Sequence, residues 1–268
     1  MDDPALRIID VSWHLPDAGR DPAADFAARH ISGAIFLDLA DLADKNSLLP
    51  MMLPDATRFA DHVGALGVGD DQRIVLYDDS ALHTSARAWW MFVKVFGLGN
   101  VAILDGGLGK WISEGRPVTS DATALERAGL NVNHDTNAAF SKAQMLAGLG
   151  NPGLQIVDAR PPSRFVGSEP EPRPNVVPGR IPGSLNLPYS QLFESDGCWK
   201  QGAALQAVFD EAGVDLTRPM VTTCGSGITA AVLSFGAHLL GKHDVTLYDG
   251  SWTEWGSDPA LPKAAGPA

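Results

Sequence analysis

Cysteine is scarce, with two residues in 268, Cys198 and Cys224. Two thiols build no disulfide framework for a chain of this length, and neither stands at a zinc-site spacing from another cysteine or a histidine. Long apolar runs are lacking too. No stretch approaches the roughly 18 uninterrupted apolar residues of a membrane span, and the start, MDDPALR, has neither the basic nor the apolar region of a secretory signal. Basic residues are outnumbered: 20 Lys and Arg against 32 Asp and Glu leave a formal net charge of −12. That balance argues against nucleic acid or an anionic membrane as partner. These absences describe a folded protein of a reducing compartment, and the cytoplasm is the expected location. They also set a problem, because a site for an anion must supply its own local positive field.

What is present is apolar material for real cores, 45% hydrophobic residues with 19% charged, and an internal repeat. LRIIDVSW (6 to 13) is echoed by LQIVDARP (154 to 161), HISGAIFLDL (30 to 39) by RIPGSLNLPY (180 to 189), and DGGLGKW (105 to 111) by DGSWTEW (249 to 255). The separation is nearly constant, so two copies of one unit fill the chain. The expected division is a first domain over 1–115, a less patterned connection over 116–150 and a second domain over 151–268. In the first copy, short apolar or β-branched runs predict strands over 8–11, 35–37, 74–77 and 101–104. In the second, they fall over 154–157, 184–187, 220–223 and 245–248. Strands of this kind alternating with helical patterns predict an α/β fold in each half, a mostly parallel sheet flanked by helices on both faces.

One cysteine stands out. Cys224-Gly225-Ser226-Gly227-Ile228 lies between the strand ending near Thr223 and the helical run Ile228 to Leu240. Such a junction is at the carboxyl end of a parallel sheet, where these folds place ligands. Glycines let the backbone bring amide N–H groups close to an anion. The thiol also meets the unpaired N–H groups and positive end of the following helix, both of which favour an anion at the sulfur. A buried, inert cysteine would not call for two glycines in a run of five. A phosphatase loop needs an arginine six positions after its cysteine, and Ala230 occupies that place. In the first copy Asp78 stands where the second has Cys224, so only the second can attack.

The loop CGSGIT (224 to 229), with YDGSWTEW (248 to 255), GSEPEPR (167 to 173), RIPGSLNLP (180 to 188) and SARAWWM (85 to 91), resembles the tandem-domain rhodanese superfamily. Within that superfamily the chain is most similar to the 3-mercaptopyruvate sulfurtransferases, from about Leu6 to Leu261. Thiosulfate-preferring relatives carry basic residues in the middle of this loop, which suits a dianionic donor. The resemblance implies two tandem rhodanese-like domains, no cofactor and no metal, and sulfur transfer in two steps. Cys224 takes sulfur from 3-mercaptopyruvate as a persulfide, releasing pyruvate, and then passes it to a thiol or cyanide acceptor. The acceptor would be thioredoxin, a small thiol or a partner protein. A thiosulfate sulfurtransferase is the alternative within the family, and a persulfide carrier without turnover the alternative outside it.

Matched position by position, the family's substrate-binding arginines fall on Arg164 and Arg173. The stretch from Arg160 to Arg180 holds four arginines against two glutamates, a local cationic excess in an acidic chain. Arg160 and Arg180 read as solvated surface residues. Ser226 is expected to donate to substrate, Thr229 to cap the following helix, and Asp249, Trp252, Glu254 and Trp255 to pack beneath the loop. A Ser-His-Asp relay assigned to some relatives needs an aspartate and a histidine where this chain has Ala40 and Met51. His83, in the first-copy loop, is the one nearby candidate for proton transfer, against a plain reading as a surface histidine. Cys198 reads as incidental.

Overall fold

A computed structural model of the chain describes residues 3, 5–124 and 126–267. Two compact units divide it: residues 1–135 with 195–198, and residues 136–194 with 199–268. The segment expected as a connection therefore belongs partly to each. In the first unit, Val118–Thr119 pairs antiparallel with His30–Ile31, and the amides of Ala128, Asn133 and Asp135 donate to the carbonyls of Gly64, Phe96 and Val95. In the second unit, Ala139–Phe140 forms a strand and Lys142–Gly148 a helix. The polar residues of 126–135 are largely exposed, and the bonds to Gly64, Phe96 and Val95 satisfy their backbone.

The first unit carries a parallel sheet in the order Ala34–Phe36, Leu6–Asp10, Arg73–Tyr77, Val101–Ile103. The second carries five parallel strands in the order Ala139–Phe140, Val245–Tyr248, Met220–Thr223, Gln155–Asp158, Leu185–Asn186. All eight strands expected from the sequence form, shifted by a residue or two at their ends, and the α/β architecture is as the pattern implied. The strands the pattern did not announce, Ala139–Phe140, His30–Ile31 and Val118–Thr119, are each two residues long and too short to register as a hydrophobic run.

Burial explains the order. Every residue of Gln155–Asp158 and of Met220–Thr223 is buried, which places these two strands at the centre with both faces covered. The helix Ile228–Leu239 is buried continuously from Ile228 to Ala237, as a helix apolar on all sides must be. The Ser141 hydroxyl accepts from the Gln144 amide and the Gln144 side chain accepts from the Ser141 amide, a reciprocal cap that starts Lys142–Gly148. Met145, Ile156, Ile181, Val221, Tyr248, Trp252, Trp255 and Leu261 form one apolar cluster of the second unit. Among the described residues no helix is long and apolar enough to cross a membrane.

Candidate active site

Cys224 follows Met220–Thr223 directly, and its side chain is only 2% exposed. Its surroundings are nevertheless polar. The segment Ser251 to Thr253, which follows the neighbouring strand Val245–Tyr248, straps the cysteine loop. Trp252 N–H donates to the Cys224 carbonyl at 2.9 Å, and Thr253 N–H donates to the Gly225 carbonyl at 2.9 Å. The Thr253 hydroxyl donates to the same Gly225 oxygen at 2.5 Å. A trans peptide points its C=O and the next N–H in opposite directions, so the anchored carbonyls aim the amides of Gly225 and Ser226 away from the strap.

Ser251 does the converse. Its Oγ accepts from the Cys224 amide at 3.2 Å and the Gly227 amide at 3.1 Å, and donates to the Tyr248 carbonyl at 2.8 Å. Two of the loop's amides are thus committed to a hydroxyl that itself lies 4.0 Å from the Cys224 sulfur. Ser251 is fully buried and holds φ at +50°, a left-handed conformation a serine adopts only where its contacts impose it. The helix is opened by Gly227 at φ +80°, not by Thr229. The expected hydroxyl cap is absent because the turn needs a left-handed residue before Ile228, and Thr229 lies buried inside the first helical turn. Ser226 is half-buried at the loop's crest.

The arginines sort into two kinds. Arg160 and Arg180, expected on the surface, are buried. Arg160 is 1% exposed, donates to both Asp158 oxygens, to Glu171 at 2.8 Å and to the Gly179 carbonyl at 2.7 Å, and lies over the Trp252 ring. Burial alone would lower its pKa; Asp158, Glu171 and Cys224 more than offset that and raise it. Arg180 donates to the Gly266 and Pro267 carbonyls and stacks on Phe165. Local charge count could not reveal either: Arg180 is closed over by carbonyls 86 and 87 residues away, and Arg160 is buried by the Trp252 ring and the Gly179 carbonyl, which no count of charges includes.

Arg164 and Arg173 lie beside the loop. Arg164 pairs with Glu171, and its guanidinium is 3.2 Å from where a Cβ on Gly225 would stand. Arg173 donates to Thr253 Oγ1 at 3.2 Å, and among the described residues no carboxylate pairs with it. Burial and the Arg164 charge lower its pKa, opposed by Cys224 and Glu171. Arg160 and Arg164 thus take up the two buried carboxylates, Asp158 and Glu171, and Arg173 stands beside the Cys224 loop with a hydroxyl as its partner. Tyr189, which follows Leu185–Asn186, is half-buried, and burial with the Cys224 charge raises its pKa. Glu254 accepts from the Tyr248 hydroxyl at 2.7 Å, while Trp252 and Trp255 are core.

The first unit repeats the loop without the thiol. Asp78 accepts from the amides of Ser80 at 2.9 Å and Ser85 at 2.7 Å. Leu108 N–H donates to the Asp78 carbonyl at 3.0 Å, as Trp252 does to Cys224. At the place of Ser251 stands Gly107, φ +57°. Asp10 is the counterpart of Asp158, but Ser12 replaces Arg160, and burial without a cation pushes the Asp10 carboxyl up to about 6. His83 is half-buried at φ +49° at the start of Thr84–Trp89, and burial, opposed by Asp78, lowers its pKa. Ala40 lies in the helix Leu39–Leu42, and the Met51 carbonyl accepts from Arg87 at 2.7 Å. Cys198 is pushed up to about 11 by burial and the Asp105 charge, which leaves it a poor nucleophile.

Sequence reasoning missed Ser251, Thr253, Glu171 and the Asp158–Arg160 pair. The repeat carried a signal for the first, since DGGLG aligned with DGSWT replaces a glycine by a serine.

The rhodanese-like domain family matches residues 1–114 and 141–258. The rat 3-mercaptopyruvate sulfurtransferase is 43% identical over 252 residues, covering 93% of this chain and 84% of the relative. The thiosulfate sulfurtransferase of Cricetulus griseus is 40% identical over 257 residues, covering 94% and 85%. Among solved structures, SseA from Escherichia coli, a 3-mercaptopyruvate sulfotransferase with the rhodanese fold, superposes with a TM-score of 0.85 at 36% identity, covering 94% of each chain.

Proposed function

The chain belongs to the rhodanese family, and we infer that it is a 3-mercaptopyruvate sulfurtransferase that carries sulfur as a persulfide on Cys224. The observation that carries the assignment is the Arg173 guanidinium, bonded to a hydroxyl and to no carboxylate among the described residues, beside a loop without basic side chains. A donor with one carboxylate remote from its sulfur matches this arrangement. Arg173, with Arg164 next to it, holds the carboxylate through paired hydrogen bonds, and the sulfur is brought to Cys224.

The Cys224 thiolate attacks the sulfur of 3-mercaptopyruvate. An S–S bond forms as the S–C bond breaks, and the bonding pair leaves on the enolate of pyruvate. The proton of the substrate thiol, now on the outer sulfur, passes to the enolate carbon. Pyruvate departs, and an anionic persulfide stays in reach of the Gly225 and Ser226 amides and the first turn of Ile228–Leu239. A thiolate acceptor then attacks the outer sulfur and returns Cys224 to its starting state; cyanide would leave as thiocyanate. With Ala40 and Met51 at the relay positions, proton movement runs through the substrate itself. Neutral Tyr189 supports the anion's surroundings without accepting its charge. Free Cys224 and Cys198 suit a reducing compartment such as the cytoplasm; a plant relative 38% identical is mitochondrial.

Thiosulfate is the second donor to consider, because thiosulfate sulfurtransferases are nearly as similar. A kcat/KM at least as high for thiosulfate as for mercaptopyruvate would favour it. The deciding experiment is intact-mass analysis after mixing with mercaptopyruvate, wild type beside Cys224→Ala. One added sulfur and stoichiometric pyruvate are expected in the first, and neither in the second. Equal uptake in both, or none in either, overturns the assignment; uptake without pyruvate release would make the protein a carrier.

A further inference from the structure

We propose that Thr253 is a positioning residue that ties the substrate-carboxylate arginine to the cysteine loop, and so sets the affinity for a carboxylate-bearing donor. The proposal rests on the reading of Arg173 given above. The Thr253 hydroxyl has one proton, and it goes to the Gly225 carbonyl at 2.5 Å. Its lone pair accepts from Arg173 at 3.2 Å. One side chain therefore spans the cation and the loop, and its own backbone N–H makes a second bond to the same carbonyl.

Two consequences follow from the bonding. Arg173 leans on a neutral acceptor instead of a carboxylate, so its direction is set while its charge stays available to a ligand. Because Gly225 C=O is held by Thr253, the opposed Ser226 N–H is aimed away from the strap. The carboxylate-binding and sulfur-binding groups are thereby held in one register. Thr253 is half-buried and Ser251, two residues earlier, fixes the Cys224 and Gly227 amides. The strap thus handles the loop's amides through one hydroxyl and its carbonyl through the other.

The test is steady-state kinetics with mercaptopyruvate on five variants of the full chain. Thr253→Val keeps shape and the backbone bond but removes both side-chain bonds; loss of one hydrogen bond to a charged group corresponds to roughly a tenfold rise in KM. Thr253→Ala should behave alike and guards against a packing artefact of valine. Thr253→Ser, which keeps the hydroxyl, should restore KM. In an Arg173→Ala background, Thr253→Val should raise KM no further, because the two share one interaction. A KM rise for Arg173→Ala with wild-type KM for Thr253→Val would overturn this proposal alone. Equal impairment by serine and valine, or additive losses with Arg173→Ala, would also overturn it. An unchanged KM for Arg173→Ala would remove the reading of Arg173 and this proposal with it.

Discussion

Replacing Ser251 by alanine removes the acceptor of two buried amides, those of Cys224 and Gly227, and the donor to Tyr248. A buried donor left without acceptor costs roughly 1–3 kcal/mol. With two such donors in a short loop that can partly relax, Ser251→Ala should lower the stability of the second unit by about 3 kcal/mol. Glycine loses the same acceptor but relieves the left-handed backbone at φ +50°, a strain of about 1 kcal/mol. Ser251→Gly should therefore cost only about 2 kcal/mol. The first unit supports the order, since Gly107 holds the equivalent turn at φ +57° with no hydroxyl. At about 3–4 °C per kcal/mol for a unit of this size, the melting transition should fall by roughly 10 °C and 7 °C respectively. Differential scanning calorimetry reads both. An alanine variant melting with wild type, or a glycine variant less stable than the alanine one, would refute the reasoning.

Asp10, raised to about 6 by burial, stabilises the first unit only while neutral. That contribution is complete below the ordinary carboxylate range and is lost as pH rises through about 6, amounting to about 3 kcal/mol. Asp10→Asn should thus gain on wild type as pH rises from about 4 to about 6 in denaturant titrations, with the difference levelling off above that, and parallel pH dependences would contradict it. Arg160→Met leaves the buried Asp158 carboxylate without its cation and Glu171 with Arg164 alone, and should cost about 3 kcal/mol; a loss below about 1 kcal/mol would mean the pair is no more than neutral. His83 should titrate below the usual histidine range by NMR, because burial outweighs the Asp78 charge; a midpoint above that range would reverse the ranking.

The sheets were legible because buried parallel strands read as short β-branched runs, MVTT and QIVD among them, whatever their partners. Repetition made the two-unit plan visible, and the pair of glycines around Ser226 drew attention to Cys224. Side-chain roles were less accessible. Arg160 looks like any surface arginine until Asp158, Glu171 and the Trp252 ring close around it. Ser251 reads as a helix-start serine until its φ and its two amide donors are seen. Such roles depend on contacts between segments far apart in the chain, which neither spacing nor composition encodes. The stretch before Thr136 gave little signal for a related reason, since backbone bonds such as Ala128 N–H to the Gly64 carbonyl and Asn133 N–H to the Phe96 carbonyl leave no hydrophobic signature.

The near-contact of Gly225 with Arg164 limits how donor preference can change. A guanidinium nitrogen stands 3.2 Å from the point a Cβ would occupy, so a side chain at 225 needs Arg164 to give way by a few tenths of an ångström. A cation grafted onto the loop to attract a dianion would press on the neighbour of the carboxylate's own binding group. Preference for one donor and affinity for the other are therefore coupled through this one point of contact, and a substitution at 225 should move both.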